Sequence, residues 1–402
     1  MPDVRKSSTI AIIATIVVVV VAVAAVVFMN NGSSDNEKDN STDVEEGYPR
    51  TVTDFYGTTI TLEKKPSRVV CQGIEFPSYL GKSVIDRLIW CSSPSTIETK
   101  ALVDYYDIGN VCSLKGTMIS MTEDIMGKNP DLVLISDSRV NEEQRKTFTQ
   151  IMNSAGIPVY FYTNQSNLYS NSKECLEVNL LPISEIFGME DRAKEIIRYV
   201  DEKTKELETM LSGQSSTGKN VYIAGGAGKA RANFLGSSAA TYHPFNYVDK
   251  YVHNVMKDIL PNTEYTTDVT FETLYQYEAK TAKIDEILIS YPAWTDFKNK
   301  WGDSTTRAQL NALSAVSSGE VYIITDWFPR AYMGLGCAYY LAEHYYPDLF
   351  GSFDTAGFMK DLMKQFYVDD ELTNTIYNLM TERMGATGQE PSLFVKVDTS
   401  KI

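Results

Sequence analysis

Residues Glu190–Leu211 read EDRAKEIIRYVDEKTKELETML, and this stretch decides the fold. Apolar or small side chains recur along it at alternating spacings of three and four residues, the period of an α-helix with one buried face. The stripe consists of Ala193, Ile197, Val200, Thr204, Leu207 and Leu211. A helix of this length spans about 33 Å, and Gly213 ends it. The sequence therefore predicts a long helix in the middle of the chain.

Short apolar runs on both sides of this helix predict strands. They alternate with segments of helical spacing, which is typical of parallel sheets covered by helices, because a parallel crossover needs a helix-length connection. The predicted fold is α/β, with two lobes joined by a rigid helix and a cleft that opens little. The runs are Arg68–Cys71, Arg87–Cys91, Asp131–Ser136, Ile157–Tyr162, Asn220–Ala224, Asp285–Ser290 and Glu320–Thr325.

Two of these runs share the pattern D-x-[VI]-L-I-S, which supports two similar lobes although six residues can match by chance. They are Asp131–Ser136 and Asp285–Ser290. Each serine is predicted to end a strand at the carboxyl edge of its sheet, where open α/β sheets bind ligands. Residues 137–139 and 291–294 would then face one cleft.

The N-terminus carries an apolar run, Ile10–Met29, without a charged residue. About twenty apolar helical residues cross the hydrocarbon core of a bilayer. Arg5 and Lys6 precede the run and acidic residues dominate after it, so the positive-inside bias leaves the bulk of the chain outside. We predict a cytoplasmic segment at residues 1–8, a transmembrane anchor at 9–29 and a disordered acidic tether at 30–47.

Two other interpretations of this run are a cleaved signal peptide and a lipoprotein signal. Ala22-Val23-Ala24 looks like a cleavage site, but the apolar run exceeds the roughly 7–15 residues of a usual signal core. Acylation needs a cysteine just after the run, and the first cysteine is Cys71. An uncleaved anchor at the cell membrane, with the lobes at the cell surface or in the periplasm, is the preferred prediction.

Charge and cysteine content narrow the possible partners. The net charge of −15 excludes nucleic acid as a partner, because phosphate binding relies on clustered Lys and Arg. The five cysteines form no C-x-x-C pair and no metal-finger spacing, so structural burial is favoured over a disulfide framework, although one pair could be oxidised outside the cell. The cysteines are Cys71, Cys91, Cys112, Cys175 and Cys337.

Four segments carry a resemblance to a known family. Tyr48–Val70 resembles the opening hairpin and first strand of the iron-siderophore and cobalamin class of periplasmic binding proteins, the extracytoplasmic solute-binding proteins of ABC importers. Lys128–Ile135, Ala155–Val159 and Leu310–Tyr322 match further segments in the expected order. Together the matches cover nearly everything from Tyr48 to about Tyr367.

This resemblance implies two Rossmann-like lobes, a rigid linking helix and a ligand cleft between the lobes. It also implies docking on a two-subunit permease driven by cytoplasmic ATPases. The lobes would be residues 48–183 and 213–402, the second with C-terminal helices, linked by 184–212. We expect a monomer without cofactor or catalytic residues that delivers an iron complex or related metal-bearing compound. The ligand would be an iron chelate, a corrinoid, haem or an oxyanion.

Candidate ligand contacts are cations and aromatic residues on loops at the predicted cleft edge. Guanidinium groups grip carboxylate, phosphate or oxyanion groups in bidentate fashion, although most exposed cations have no dedicated partner. Aromatic rings enclose organic ligands at low entropic cost. The cations are Lys229, Arg231 and Arg330, and the aromatic residues are Tyr79, Tyr242, Tyr291, Trp294 and Trp327.

Histidines and acidic residues complete the candidate set. The three histidines, His243, His253 and His344, are scattered, which argues against capture of bare zinc or manganese. A structural His243 is favoured over an axial ligand to haem or a corrinoid. Family members dock one acidic residue from each lobe onto permease arginines, and by resemblance these would be Glu75 and, as the nearest acid in the second lobe, Asp249.

Two rival functions stay open. A surface enzyme is disfavoured because the sequence has no G-x-S-x-G, no H-E-x-x-H and no carboxylate pair at a recognisable spacing. A sensor or attachment module on the same two-lobed fold would bind without transport. Neighbouring genes for a permease and an ATPase would separate transport from both.

Overall fold

Two five-stranded sheets organise the chain in a computed structural model. The structure describes residues 47–92, 96–109, 111–112, 118–136, 140–163, 169, 171–226, 232–235, 238–239, 242–260, 265–266, 269–325, 331–385, 387–388 and 392–402. No helix within these ranges combines the length and the apolar character that a membrane crossing requires. The predicted anchor at 9–29 and the tether up to residue 46 lie outside the described residues.

The first sheet is parallel throughout, with the strand order β5-β4-β3-β6-β7. All five residues of β6, LVLIS, are buried, as expected for a strand whose sheet is covered on both faces. An antiparallel hairpin, β1–β2, precedes it. The strands are β1 (Arg50–Thr53), β2 (Thr59–Leu62), β3 (Val69–Cys71), β4 (Leu88–Ser92), β5 (Val111–Cys112), β6 (Leu132–Ser136) and β7 (Val159–Tyr162).

The second sheet has the order β10-β8-β12-β13-β14, in which only the edge strand β14 is antiparallel. A separate antiparallel pair, β9–β11, accompanies it. The strands are β8 (Asn220–Ala224), β9 (Ser238–Ala239), β10 (His253–Asn254), β11 (Tyr265–Thr266), β12 (Glu286–Ser290), β13 (Val321–Ile324) and β14 (Phe394–Lys396).

Helices connect the strands and form most of the remaining described residues. Those before the second sheet are α1 (Glu75–Tyr79), α2 (Lys82–Ile85), α3 (Ile97–Tyr105), α4 (Thr122–Gly127), α5 (Glu142–Ser154), α6 (Ser172–Phe187) and α7 (Glu190–Leu211). The later ones are α8 (Met256–Ile259), α9 (Phe271–Lys280), α10 (Trp294–Gly302), α11 (Ser304–Asn311), α12 (Ser314–Ser317), α13 (Ala331–Tyr345), α14 (Pro347–Phe350), α15 (Thr355–Tyr367) and α16 (Asp370–Gly385).

The long helix predicted in the middle of the chain is confirmed as α7, with the bounds Glu190–Leu211. Acidic residues occupy its first turn, where they complement the helix dipole. Gly213 follows its end with φ +84°, a left-handed conformation that favours glycine. The start of the linking segment, predicted at residue 184, falls inside α6, which packs along α7.

The repeated pattern marks equivalent strands in the two sheets. β6 lies between β3 and β7, and β12 lies between β8 and β13. Each is therefore paired in parallel with the strand that comes first along the chain in its sheet, β3 or β8. Ser136 and Ser290 are the last residues of these strands, as predicted. The two serines therefore stand at matching positions on the carboxyl edges of the two sheets.

The C-terminal helices return to the first half of the chain. α15 packs on α1 and α7, and α16 packs on α3. Arg192 of α7 donates to the Tyr79 carbonyl at 3.3 Å and also to the carbonyls of Gln365 and Phe366. The C-terminal helices thus contact elements of the first half of the chain, and their predicted membership of the second lobe stays a prediction.

Helix α13 packs closely against the residues that follow β9 because it carries a glycine there. A Cβ atom at Gly334 would overlap the imidazole of His243, which is 6% exposed. We expect Gly334→Ala to lower the free energy of unfolding by about 1–3 kcal/mol through overpacking, measured by urea denaturation.

Gly336→Ala is the matched control on the same helix. Its Cβ would overlap the flexible end of Met359 and lie at ordinary contact distance from Leu362, so we expect a change below about 1 kcal/mol. Equal losses of unfolding free energy from both substitutions would contradict the overlap. A loss in Gly334→Ala that the additional substitution His243→Ala does not restore would also contradict it.

Candidate functional site

The carboxyl edge of the first sheet carries a tightly bonded turn. Gly73 has φ +86°, and its N–H donates to Ser92 Oγ at 3.1 Å. The Cys71 thiol donates to the Gly73 carbonyl at 2.7 Å, and the Tyr162 hydroxyl donates to the Gln72 carbonyl. Burial raises the pKa of both Cys71 and Tyr162, which keeps these donors protonated. Cys71 is therefore an inert structural thiol at neutral pH.

Buried hydroxyl groups mark the same edge of both sheets. Ser136 is 5% exposed and Ser290 is 1% exposed. Neither Oγ atom has a hydrogen-bond partner among the described residues. Because a buried polar group without a partner costs about 1–3 kcal/mol, these positions suit groups that bind there from outside the chain. Residues 137–139, predicted to face the cleft, lie outside the described residues.

Tyr291 and Trp294 follow β12 directly. Tyr291 is half-buried, and the Arg383 guanidinium lies 3.9 Å from the centre of its ring. Trp294 is 3% exposed and stacks on Phe297 with 5.7 Å between ring centres. Its indole N–H has no partner among the described residues. The structure thus places a cation that sequence reasoning missed over one of these two predicted aromatic residues.

The remaining predicted ligand contacts divide into two groups. Lys229, Arg231, Trp327 and Arg330 lie outside the described residues, and their roles stay predictions. Tyr242 is fully buried in the main core.

Tyr79 lies in an aromatic core rather than at the edge of either sheet. It is 1% exposed, and its ring centre lies 4.8 Å from that of Phe366 and 5.8 Å from that of Tyr367. Tyr79 and Tyr242 are both core residues in this structure, and their contacts with a ligand stay predictions.

The three histidines occupy separate places. His243 is buried against α13, and burial lowers its pKa to about 4, so it is neutral at physiological pH. This is the placement of a structural histidine. His253 contacts Asp258 at 2.8 Å, and His344 contacts Glu286 at 2.9 Å. Within the described ranges, no group of three or more His, Cys, Asp or Glu residues is placed to hold a metal ion.

The two predicted docking acids lie at different kinds of edge. Glu75 begins α1 after the carboxyl end of β3, and its carboxylate lies beside Gly73 and Tyr162. Asp249 is exposed, precedes the amino end of β10 and pairs with Lys257 at 2.8 Å. The structure therefore does not place them at equivalent positions on the two sheets, and the pairing stays a prediction.

Two shallow surface depressions lie away from both sheet edges. One of about 400 Å³ is lined by residues of β1, α6 and α7, and one of about 310 Å³ lies between α6 and α7. Leu181 and Lys194 line both. Their linings mix charges of both signs around two apolar side chains each, Val52 and Leu181 in the first and Leu181 and Ile197 in the second. Neither lining includes a residue from the carboxyl edges of the two five-stranded sheets.

Comparison with known proteins gives a likeness in structure alone. No family model matches the chain, and no curated protein matches it. Among solved structures, the TroA-like periplasmic binding protein FepB from Veillonella parvula is 18% identical, with a TM-score of 0.58, over 79% of this chain and 96% of that one.

Two further solved structures match over almost their whole length. The molybdate periplasmic binding protein MolA of a Haemophilus influenzae ABC transporter, bound to molybdate, is 15% identical, with a TM-score of 0.61, over 80% of this chain and 98% of that one. Helicobacter pylori CeuE with Ni(II) bound is 14% identical, with a TM-score of 0.58, over 81% and 98%. The chain therefore has the fold of the TroA-like periplasmic binding proteins.

Proposed function

We propose that this protein is the substrate-binding component of an ABC importer. It captures an iron complex or a related metal-bearing compound outside the cell and delivers it to a permease dimer. The observation that carries the proposal is the fold: one parallel and one largely parallel sheet, joined by α7. Their equivalent strands β6 and β12 both end in a buried serine with no partner among the described residues.

The location and partners of the protein belong to the same proposal. Residues 9–29 anchor the chain in the membrane, and the folded part lies outside as a monomer. Glu75 contributes to permease docking, and Asp249 is the second docking candidate. The protein binds and releases its ligand unchanged, so it is not an enzyme.

Fluorescence titration of the full chain in detergent tests this function. The chain has four tryptophans, and Trp294 follows β12 directly, so binding there alters emission. The probes are a ferric chelate, cobalamin, haem and molybdate. Saturable binding of one of them, recovered chemically unchanged, is the expected result. Binding of none, or conversion of the bound compound, would contradict transport and favour the sensor and enzyme alternatives respectively.

The affinities of variants at two arginines of the predicted cleft loops are a second measurement. If the bound probe is an anionic chelate or an oxyanion, we expect Arg231→Ala and Arg330→Ala each to weaken binding by about 1.5–3 kcal/mol, the contribution of a charge-assisted hydrogen bond. Arg198→Ala is the control, since this side chain is 73% exposed on α7. Equal affinities for all three variants and the wild type would remove these two arginines from the site.

A further inference from the structure

We infer that the start of α10 is an anion-binding subsite, formed by Ser290, Trp294 and Arg383, that holds the negatively charged oxygen atoms of the ligand. This inference rests on the proposed function, because it assigns a chemical class to the ligand of the same cleft. Three independent features at this point support it: an uncapped helix start, two buried donors and a stacked guanidinium.

The helix start has no capping side chain. A short 3-10 turn, Tyr291–Ala293, leads into the nine-residue α10. Ser290 occupies the N-cap position of this turn with extended backbone. Serine commonly caps in this position, yet Ser290 makes no capping hydrogen bond, and Ala293 before α10 has no side-chain acceptor. The Trp294 N–H donates to the Tyr291 carbonyl, so the turn and α10 form one continuous helical segment whose positive dipole end lies at Tyr291–Ala293, where it attracts an anion.

Two buried side chains at this helix start have donors without acceptors among the described residues. The Ser290 hydroxyl and the Trp294 indole N–H are both inaccessible to solvent, in residues that are 1% and 3% exposed. An indole N–H can only donate, so its missing partner must be an acceptor. Because leaving both groups unsatisfied is costly, an acceptor-rich ligand gains free energy by binding here.

Arg383, near the C-terminal end of the sequence, places a positive charge beside Tyr291. Its guanidinium lies 3.9 Å from the ring centre of Tyr291, the residue next to Ser290. A guanidinium over an aromatic ring carries five N–H donors and a fixed positive charge, which suits contact with an oxyanion or a carboxylate.

The acidic side chain in the first turn of α10 does not compete with an anion at this point. Asp296, in the first turn of α10, accepts the Phe234 N–H at 2.8 Å and forms an ion pair with Lys300 at 2.8 Å. Its charge is thereby offset within the protein. Ser290, Trp294 and Arg383 all offer donors here, so the subsite takes an anionic oxygen group, either a free oxyanion or a carboxylate of a ferric chelate.

Titration of the full chain with molybdate and with ferric citrate tests the subsite and separates these two sources. Arg383→Met keeps the aliphatic length and removes the charge, and Ser290→Ala removes one donor. We expect whichever probe binds to lose roughly tenfold or more in affinity with Arg383→Met, several-fold with Ser290→Ala, and to bind more weakly as salt is raised.

Arg307→Met is the matched control. Arg307 also lies over an aromatic ring in the same half of the chain, 5.9 Å from Trp301, but it is bonded to carbonyls at the end of α10. We expect it to bind both probes like the wild type. Ser290→Ala removes only a hydroxyl that has no partner in the described part of the chain, so it folds normally and keeps the test valid should Arg383→Met be unstable.

The outcomes separate this inference from the proposed function. If a metal-bearing probe binds and both site variants keep wild-type affinity, the subsite is overturned and the function stands. If molybdate and sulfate bind alike through Arg383 and no iron, cobalt or haem compound binds, the subsite stands and metal-complex capture fails. If neither molybdate nor ferric citrate binds, the subsite is overturned.

Discussion

Replacing Glu286 with alanine is expected to lower the free energy of unfolding by about 3–5 kcal/mol, because it breaks a buried ionic network by removing its central member. Glu286 is fully buried at the amino end of β12. Its carboxylate accepts from the Tyr345 hydroxyl at 2.8 Å and contacts His344 Nε2 at 2.9 Å and Lys219 Nζ at 3.2 Å. Urea denaturation of the full chain measures the loss.

Glu320→Ala is the matched control. Glu320 also contacts a lysine and a tyrosine, Lys396 at 2.7 Å and Tyr322 at 2.9 Å, but its side chain is 31% exposed. Water can replace both contacts, so we expect a loss below about 1 kcal/mol. Similar losses for the two variants would show that the network around Glu286 contributes no more than a surface ion pair.

The same network predicts a dependence of stability on pH. Burial alone would raise the pKa of Glu286, but the hydrogen bond and charge of His344, the charge of Lys219 and the Tyr345 hydroxyl together lower it below its ordinary value of 4.5. A carboxyl whose pKa is lower in the folded state stabilises the fold fully above its unfolded pKa. We therefore expect this contribution to be lost as the pH falls below about 4.5, and to be missing at all pH values in Glu286→Gln.

Tyr79→Ala is expected to lower the free energy of unfolding by about 3–5 kcal/mol, the range for deleting a large aromatic side chain from a core. The Tyr79 ring is 1% exposed and contacts the rings of Phe366 and Tyr367 on α15 and of Tyr332 on α13. The deletion leaves a cavity where the first half of the chain meets the C-terminal helices. Thermal and urea denaturation measure the effect.

Two further variants separate packing from ligand contact at Tyr79. Tyr79→Phe keeps the ring, so we expect it to retain both stability and affinity, whereas a tyrosine in contact with the ligand through its hydroxyl would lose affinity alone. Tyr105→Ala removes a tyrosine that joins the same halves of the chain through Asp369 but is 36% exposed. Its loss should be about 1 kcal/mol, the contribution of one hydrogen bond.

Local patterns predict much of this fold. The apolar stripe of α7 is a signal within 22 residues, and the structure confirms its bounds. The seven predicted strand runs are confirmed to within two residues at each end, because a strand buried on both faces needs a continuous apolar run. The return of α15 and α16 to α1 and α3 leaves no such pattern, since it depends on surfaces that meet only after both sheets have formed.

The candidate site is less accessible to sequence reasoning. The shared D-x-[VI]-L-I-S pattern locates Ser136 and Ser290, because it places both at the ends of equivalent strands. Tyr79 and Tyr242 are predicted ligand contacts that lie in the core. Core and cleft aromatic residues both follow strands, so the sequence does not distinguish the two placements. Arg383 sits on a helix remote in sequence from Tyr291, and nothing in its neighbouring residues indicates the ring it covers.

The return of the C-terminal helices also sets the order in which the protein can be completed. Tyr105 and Asp369 are 264 positions apart, and Arg192 and Phe366 are 174 apart. A chain emerges from the ribosome N-terminus first, so α1 and α3 exist long before the helices that cover them have been synthesised. The apolar surface around Tyr79 stays uncovered during that interval. The first half of the molecule therefore reaches its final packing only when residues 355–385 arrive, and a chain that stops short of them leaves both halves unfinished.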